Sequence, residues 1–549
     1  MKTTWLVLLG LLLLAAPAAV QAQYAYSTNA NGSIYAYTTN AGGSANIAGY
    51  TGPPWAVTIP TNINGLLVTS IGSYAFYGCA SLTNVTIAAS VTTIGYCAFG
   101  YCAGLTSVKI PGSVSSIGND PLMGCASLTA ITVDTNNVFY SSTNGVLFDK
   151  TQSTLLEYPG GLSGSYAIPG GVGSIGVNAF YDDQGLTSVT IPNGVTNIGQ
   201  SSFECCFGLT NVTMGGSVAV IEADAFFECA SLSSVTIPRG VTSIGASAFE
   251  WCSSLSSITI PGSVISIGAS AWNDCISLTN ATIQFGVTRI GDCAFGYCPN
   301  LTSVTIPGSV SSIGNDPFMG CASLTAITVD ANNSFYCSVH GVLLDITRST
   351  LIQFPGGIGG SYTIPNSITS IGPGAFANSS LTNFTMPGSV TSIGAEAFSQ
   401  CSGLTSITIP GSVTNVGSDA FQNCTILGAV YFGGNAPAVG LTPFLADKKA
   451  TIYYLGGSSG WSNTFAGRPA LLWNPLIQTG NSSFGFSNHQ FGFNITGTTN
   501  IPIVVEACTN LACPVWTPIQ TNALTNGSCC FSEPLQTNSP GRFYRIRSQ

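Results

Sequence analysis

The sequence predicts a β-rich repeat solenoid, and three observations carry that prediction. A 23-residue motif recurs along most of the 549-residue chain, each copy holds two short extended pieces, and one aromatic position returns in nearly every copy. The motif reads Val241-Thr-Ser-Ile-Gly245, then Ala248-Phe249, Cys252 and Leu255-x-x-Ile258-x-Ile260-Pro261. Its isoleucine falls at Ile175, Ile198, Ile221, Ile244, Ile267, Ile290 and Ile313, 23 residues apart at each step. A fixed period of roughly 20–50 residues marks a stacked array in which each unit buries its apolar face only against its neighbours. Function in such a molecule is read from its displayed surface.

The first extended piece is Leu-x-x-Val/Ile-x-Ile, as in Leu301-Thr-Ser-Val304-Thr-Ile306. Apolar and polar residues alternate there with the period of a half-buried strand. Proline often follows and stops it, at Pro111, Pro192, Pro238, Pro261, Pro307 and Pro410. A Gly-Ser turn leads into Ser-Val-Thr-Ser-Ile-Gly, the second extended piece. A short Ala-Phe-x-x-Cys turn, compatible with a single helical turn, completes the coil. Stacked coils pair their strands into parallel sheets at about 4.8 Å per step. The recurring phenylalanine (Phe76, Phe99, Phe180, Phe203, Phe226, Phe249, Phe295, Phe318, Phe376, Phe398, Phe421) then becomes a core spine, with Leu122 and Trp272 at two steps.

Composition bounds the partners. Charged residues are only 6% of the chain, against about 25% in ordinary soluble proteins. The net charge of −9 and the scarcity of Lys and Arg exclude a nucleic-acid partner, which needs clustered basic residues. Residues 1–22 have a lysine, a short apolar run and Val20-Gln21-Ala22, the pattern of a secretory signal peptide. The run is too short for a transmembrane anchor, no later stretch reaches the length of a span, and the mature chain is expected to begin at Gln23.

The motif Leu-x-x-Val-x-Ile-Pro-x-Ser-Val-Thr-Ser-Ile-Gly-x-x-Ala-Phe-x-x-Cys resembles the BspA-type leucine-rich repeat of bacterial surface and secreted proteins. The resemblance covers residues 58–432. It includes two longer units near 134–168 and 330–364, where Asp134-Thr-Asn-Asn137 through Asp149 to Tyr158-Pro159 recurs as Asp330-Ala-Asn-Asn333 through Asp345 to Phe354-Pro355. The offset of 196 residues between Asp134 and Asp330 points to duplication of a larger block. The resemblance implies a curved leucine-rich-repeat solenoid with a sheet on its concave face, and a bacterial secreted or cell-surface protein that acts in adhesion and recognition without catalysis.

The ends differ from the repeats. Residues 23–57 read as an N-terminal β cap that closes an otherwise open strand edge. Residues 433–473 read as the C-terminal cap. Residues 474–549 form a separate all-β module, a small sandwich judged from Phe491-Gly-Phe493, Ile501-Pro-Ile-Val-Val-Glu506 and Phe543-Tyr-Arg545. That skeleton is similar to C-terminal β-modules of secreted proteins from environmental bacteria.

Nineteen cysteines in an exported chain ordinarily signal a disulfide framework. Eleven of them, however, occupy one column: 79, 102, 125, 206, 229, 252, 275, 298, 321, 401 and 424. Neighbours in a column point the same way at the stacking distance, beyond the about 3.8 Å between β-carbons that a bridge prefers. These are read as buried thiols serving as small hydrophobes. Cys508, Cys513, Cys529 and Cys530 in the tail are better disulfide candidates, with three possible connectivities.

Catalytic patterns lack context. Gly171-Val-Gly-Ser-Ile-Gly176 fits a dinucleotide fingerprint but is one more copy of the repeat. Gly456-Gly-Ser458-Ser-Gly460 fits a nucleophile elbow without the preceding strand. The two histidines, His340 and His489, lie far apart. Asp134 and Asp330 open Asp-x-Asn-Asn turns, read as Asx-turns in preference to calcium loops. No catalytic residue, cofactor or metal is assigned.

The candidate partner-binding surface is the outward side of the first strands. One row holds Ser188, Asn211, Ser234, Ser257, Asn280 and Ser303; the other holds Thr190, Thr213, Thr236, Thr259, Thr282 and Thr305. Threonine suits any solvated strand, and extended sheets are also what solenoids use for recognition. The expectation is an exported, non-enzymatic protein that binds an extracellular protein or glycan through this sheet. The alternative is a structural envelope or matrix component that associates with itself.

Overall fold

The computed structural model describes residues 24–547 apart from 30–31, 54, 481–482, 488, 500, 513 and 535–540. The expected signal segment, residues 1–22, lies outside them. The chain divides into two compact units, Met1–Val241 and Thr242–Gln549. Both are built from stacked β coils.

In the first unit a coil begins with a strand such as Ser107–Ile110, which pairs in parallel with Asn84–Thr86 on one side and Ala130–Val133 on the other. Ser107 and Lys109 face out while Val108 and Ile110 face in, as the alternation requires. Pro111 ends the strand, and Val114 N–H closes the turn on the Pro111 carbonyl. The two-residue strand Ser116–Ile117 then pairs with Thr93–Ile94. The second unit repeats the scheme with Ser257–Ile260, Asn280–Ile283 and Ser303–Ile306 in one ladder, and Ser266–Ile267, Arg289–Ile290 and Ser312–Ile313 in the other.

The Ala-Phe-x-x-Cys segment is a turn and not a helical one. Each copy carries two residues in the left-handed region four positions apart, for example Ser201 (φ 53°) and Cys205 (φ 60°), or Ser270 (φ 55°) and Asp274 (φ 58°). Right-handed helix cannot pass through such residues. The turns bond to one another between coils instead, as Phe203 N–H does to Ala225 O at 2.8 Å. Among the described residues the one helical segment is the 3-10 turn Thr525–Gly527.

The glycine of Ser-Ile-Gly is needed because adjacent coils approach closely there. A β-carbon on Gly118 would lie 2.6 Å from the Tyr96 backbone nitrogen, and one on Gly291 would lie 2.5 Å from that of Ala269.

The aromatic spine is present in both units. Phe180, Phe203 and Phe226 stack at 4.6 and 5.0 Å, and Phe249, Trp272, Phe295 and Phe318 at 5.3–5.7 Å. Tyr50, Tyr158, Phe354 and Phe444 extend the stacks at the caps and long units. The motif is broken around Tyr50, Tyr158 and Phe354, which hides them from a periodicity search, whereas Phe444 keeps the period, 23 residues after Phe421.

Each long unit inserts an antiparallel pair before the ladder resumes. Tyr140–Thr143 and Val146–Asp149 precede Thr154–Glu157, which pairs in parallel with Ser174–Ile175. Asn137 is fully buried beneath the insertion. Its Nδ2 donates to the carbonyls of Pro111 and Val114 at 2.8 Å, and its Oδ1 accepts from Phe139 and Tyr140 N–H at 2.8 Å. Asn333 makes the corresponding four bonds in the second unit.

At the start, Ala25–Thr28, Ile34–Thr39 and Ala45–Thr51 form an antiparallel meander that joins the coils through Leu66–Ile71. At the end, Leu476–Gln478, Gly485–Ser487, Gln490–Thr496 and Ser528–Pro534 form one sheet. Pro502–Cys508, Thr517–Ala523 and Phe543–Arg547 form another. Phe493, Ile495, Ile503, Val505 and Phe531 are buried in one cluster with Tyr431 and Tyr453 of the last coils, and Trp473 Nε1 donates to Pro502 O at 3.1 Å. The C-terminal sheets therefore share a core with the end of the coil stack.

Candidate recognition surface

Ladder pairing aligns the predicted rows. In the first unit Ser188, Asn211 and Ser234 are in register, as are Thr190 and Thr213, with Thr236 one residue beyond the last paired position. In the second unit Ser257 pairs with Asn280 and Thr259 with Thr282, which pairs on to Thr305; Ser303 follows beside Thr305. All twelve are exposed except Ser188, which is half-buried. The rows belong to two units, and each unit presents its own patch.

Hydroxyls elsewhere on the coils are already engaged. Thr106, Thr129 and Thr210 donate to the carbonyl of the preceding coil at 2.9–3.2 Å in the first unit, and Thr279 does so at 3.0 Å in the second. For Thr213, Thr236, Thr259 and Thr282 no side-chain hydrogen bond occurs among the described residues, although Thr305 and Thr328 join hydroxyls at 2.9 Å. Threonine thus serves two purposes in one coil: a flank position that tethers neighbours, and a face position left to solvent.

The face is not uniform at its ends. In the first unit Lys109 interrupts the threonine row, 3.5 Å from Asp134. Around it Asn84, Thr86, Ser107 and Thr132 line a shallow hollow of about 480 Å³. In the second unit Thr408 is followed in register by Tyr431 and Tyr453. Both tyrosines are buried under the C-terminal sheets, so the solvated row stops where an aromatic replaces the hydroxyl.

The chemistry named in sequence finds structural explanations. Asp134 Oδ1 accepts from the N–H and Nδ2 of Asn136, and Asp330 does the same with Asn332, which are Asx-turns. His340 and His489 occupy left-handed turn positions. Ser458 Oγ donates to Leu455 O at 2.5 Å. Ser174 and Ile175 of the glycine-rich segment are an ordinary ladder strand. Among the described residues no group of three or more His, Cys, Asp or Glu could hold a metal ion.

The column cysteines are free thiols. Their sulfurs donate to the carbonyl of the aromatic one coil back: Cys206 to Phe180 at 3.0 Å, Cys275 to Phe249 at 3.2 Å, Cys424 to Phe398 at 3.0 Å. Burial pushes the Cys206 and Cys275 thiols well above the ordinary range, so they are poor nucleophiles. In the tail Cys508, Cys529 and Cys530 are unpaired; Cys513 lies outside the described residues.

Sequence reading passed over the buried acids. Glu157 is buried beside Asp120, and both desolvation and that neighbour raise it. Burial pushes Asp120 up to about 6 against a hydrogen bond from Asn178. Asp183 and Asp447 take the place of cysteine in the thiol column, and burial pushes each up to about 7. Their signal was present in sequence as acids three residues after Phe180 and Phe444, where the column holds cysteine.

Comparison with known proteins settles the class. The profile of the BspA type Leucine rich repeat region matches residues 57–163, 158–275, 219–338 and 360–449, with six copies. The chain belongs to this family of leucine-rich-repeat proteins. Among solved structures it is similar to a leucine rich cell surface protein from Faecalibacterium prausnitzii A2-165, 24% identical over 79% of this chain and 95% of that one, TM-score 0.38. A leucine-rich repeat protein from Bacteroides ovatus ATCC 8483 is also 24% identical, over 80% and 94%, TM-score 0.35. The pneumococcal vaccine antigen PcpA is 16% identical over 79% and 94%, TM-score 0.36. No curated protein sequence matches the chain. No helix among the described residues is long and apolar enough to cross a membrane.

Proposed function

We propose that the protein is exported to the bacterial surface or medium and recognises an extracellular protein or glycan through the outward side of its strand ladders. The observation that carries this reading is the pair of aligned, solvated rows in each unit, in which Thr213, Thr236, Thr259 and Thr282 carry hydroxyls not used to hold coils together while Thr305 bonds Thr328. Such rows offer donors and acceptors at the strand spacing of about 4.8 Å, with little charge to restrict the partner. The hollow around Lys109 adds one ion pair, Lys109 with Asp134, to an otherwise neutral face. Family membership and the signal-like residues 1–22 support the surface assignment, and a repeat scaffold whose column thiols are buried and weakly nucleophilic supports binding over catalysis.

Binding of the purified chain to arrayed glycans and extracellular proteins tests the proposal, beside a variant carrying Thr213→Lys, Thr236→Lys, Thr259→Lys and Thr282→Lys. The expected result is a partner whose affinity drops by at least about tenfold in the folded variant. A partner held equally well by both chains, or none at all, removes the sheet face from consideration. Self-assembly is a second reading, supported by strand Ala25–Thr28, which pairs on one side only among the described residues and exposes Tyr26. Concentration-dependent growth in sedimentation, abolished by Tyr26→Lys, would favour it.

A further inference from the structure

The turn side of the first coils carries a second surface, away from the strand rows. Tyr74, Tyr77, Tyr96 and Tyr101 gather there. The Tyr74 ring meets Tyr77 at 5.5 Å and Tyr96 at 5.3 Å, and Tyr77 meets Tyr101 at 5.4 Å, each edge to face. Tyr74, Tyr77 and Tyr96 are 52%, 42% and 39% exposed, and Tyr101 is half-buried. A contiguous aromatic patch in water is unfavourable for the isolated chain, and such patches mark interaction sites.

Left-handed φ, as at Tyr74 (61°) and Tyr101 (55°), is common to every coil and does not mark the cluster. Its backbone support does: a β-carbon on Gly100 would come within 3.0 Å of Tyr77 Cδ2, and one on Gly124 within 2.7 Å of Tyr101 Cδ1. Backbone thus supports one side of these two rings. In the second unit Tyr297 lies over Gly320 in the same way, where a β-carbon would come within 2.7 Å of its Cδ1.

The surroundings restrict the ligand. From Thr3 through Val108 the sequence has no Asp, Glu, Lys, Arg or His. The first acid after the cluster, Asp120, is buried. The patch has no cation to attract a polyanion, and the carboxylates that reach it are the buried Asp120 near Tyr96 and the half-buried Asp182 near Tyr101. What it offers is aromatic faces with phenolic hydroxyls at their rims. That combination fits a ligand with flat C–H faces and many neutral hydroxyls.

We propose that Tyr74, Tyr77, Tyr96 and Tyr101 form a binding patch for a neutral polysaccharide, with sugar rings stacked on the tyrosine faces and sugar hydroxyls bonded to the phenols. The test is affinity electrophoresis of the full chain in native gels containing hydroxyethylcellulose, mannan, glycogen or the acidic polygalacturonate, each compared with a polymer-free gel. At least one neutral polymer retards the chain, and the Tyr77→Ala/Tyr96→Ala variant binds about tenfold more weakly. Tyr74→Asn also weakens binding while its melting midpoint stays the same or rises, because asparagine accepts the left-handed backbone. The proposal fails if no neutral polymer retards the chain, if the tyrosine variants are retarded like the parent, if polygalacturonate alone acts, or if Thr213→Lys/Thr236→Lys abolishes the retardation while the tyrosine variants keep it.

Discussion

At the scale of single residues the thiol column shows how one small side chain does two jobs. Cysteine is compact enough for the space behind the phenylalanine spine, and its S–H reaches the carbonyl of the preceding coil, as Cys206 does to Phe180. Cys206→Ala removes both volume and donor, and should cost about 1–2 kcal/mol in urea denaturation; an unchanged midpoint would show that the bond contributes nothing. The column was legible in sequence because it repeats. Its donor role was not, since the acceptor belongs to a residue 26 positions earlier. The same holds for its substitutes. Asp183 Oδ1 accepts from Gly185 and Leu186 N–H, and Ser379 Oγ accepts from Leu381 N–H, so these positions cap the turn instead of tethering the coil behind.

At the scale of elements, the long units depend on a single buried asparagine each. Asn137 bonds four backbone groups that would otherwise be buried and unpaired as the insertion leaves the coil. Asn137→Ala should cost about 2–4 kcal/mol and raise amide exchange over residues 134–150, while distant coils stay protected. Protection equal to the parent would refute the keystone role. The sequence announced the insertions through their duplication. It did not announce that Tyr158 and Phe354 rejoin the aromatic stack, because neither lies at the repeat period. The turn expected between strands is present and is kept from being a helical one for a local reason: its residues sit twice in the left-handed region, which pattern and propensity do not reveal when the occupants are as varied as Ser201, Cys205 and Trp251.

For the whole molecule the buried acids set the response to pH. Asp183 and Asp447 titrate near 7, Asp120 and Asp316 near 6, all raised chiefly by burial. In the unfolded chain an aspartate titrates near 3.9. The folded protein therefore binds more protons between those values, and the stability these groups supply is complete below the unfolded value and lost as pH rises through 6 to 7. Asp149, Asp345 and Glu506 act oppositely. Hydrogen bonds outweigh burial and lower them, so their contribution is lost only as pH falls below the ordinary carboxylate range. The melting midpoint should climb from about pH 8 to about pH 5 and fall under stronger acid. Asp183→Asn together with Asp447→Asn should flatten the rise; a midpoint that drops steadily from pH 8 to 5 in the parent would contradict the assignment.

The sequence by itself determined the repeat, the strand rows, the aromatic and thiol columns and the family, because each is a periodic pattern and stacking turns period into proximity. It also set the twelve candidate face residues, since alternation along a strand assigns each side chain to one side. The tertiary structure alone decided which hydroxyls tether coils and which meet water, that the row ends where Tyr431 and Tyr453 receive the C-terminal sheets, and that four tyrosines from two turns converge on one surface. Those facts rest on contacts between residues whose spacing does not follow the repeat, or whose partners are backbone groups common to every coil. A periodic sequence specifies its average coil; the departures from that coil take their meaning from what they touch.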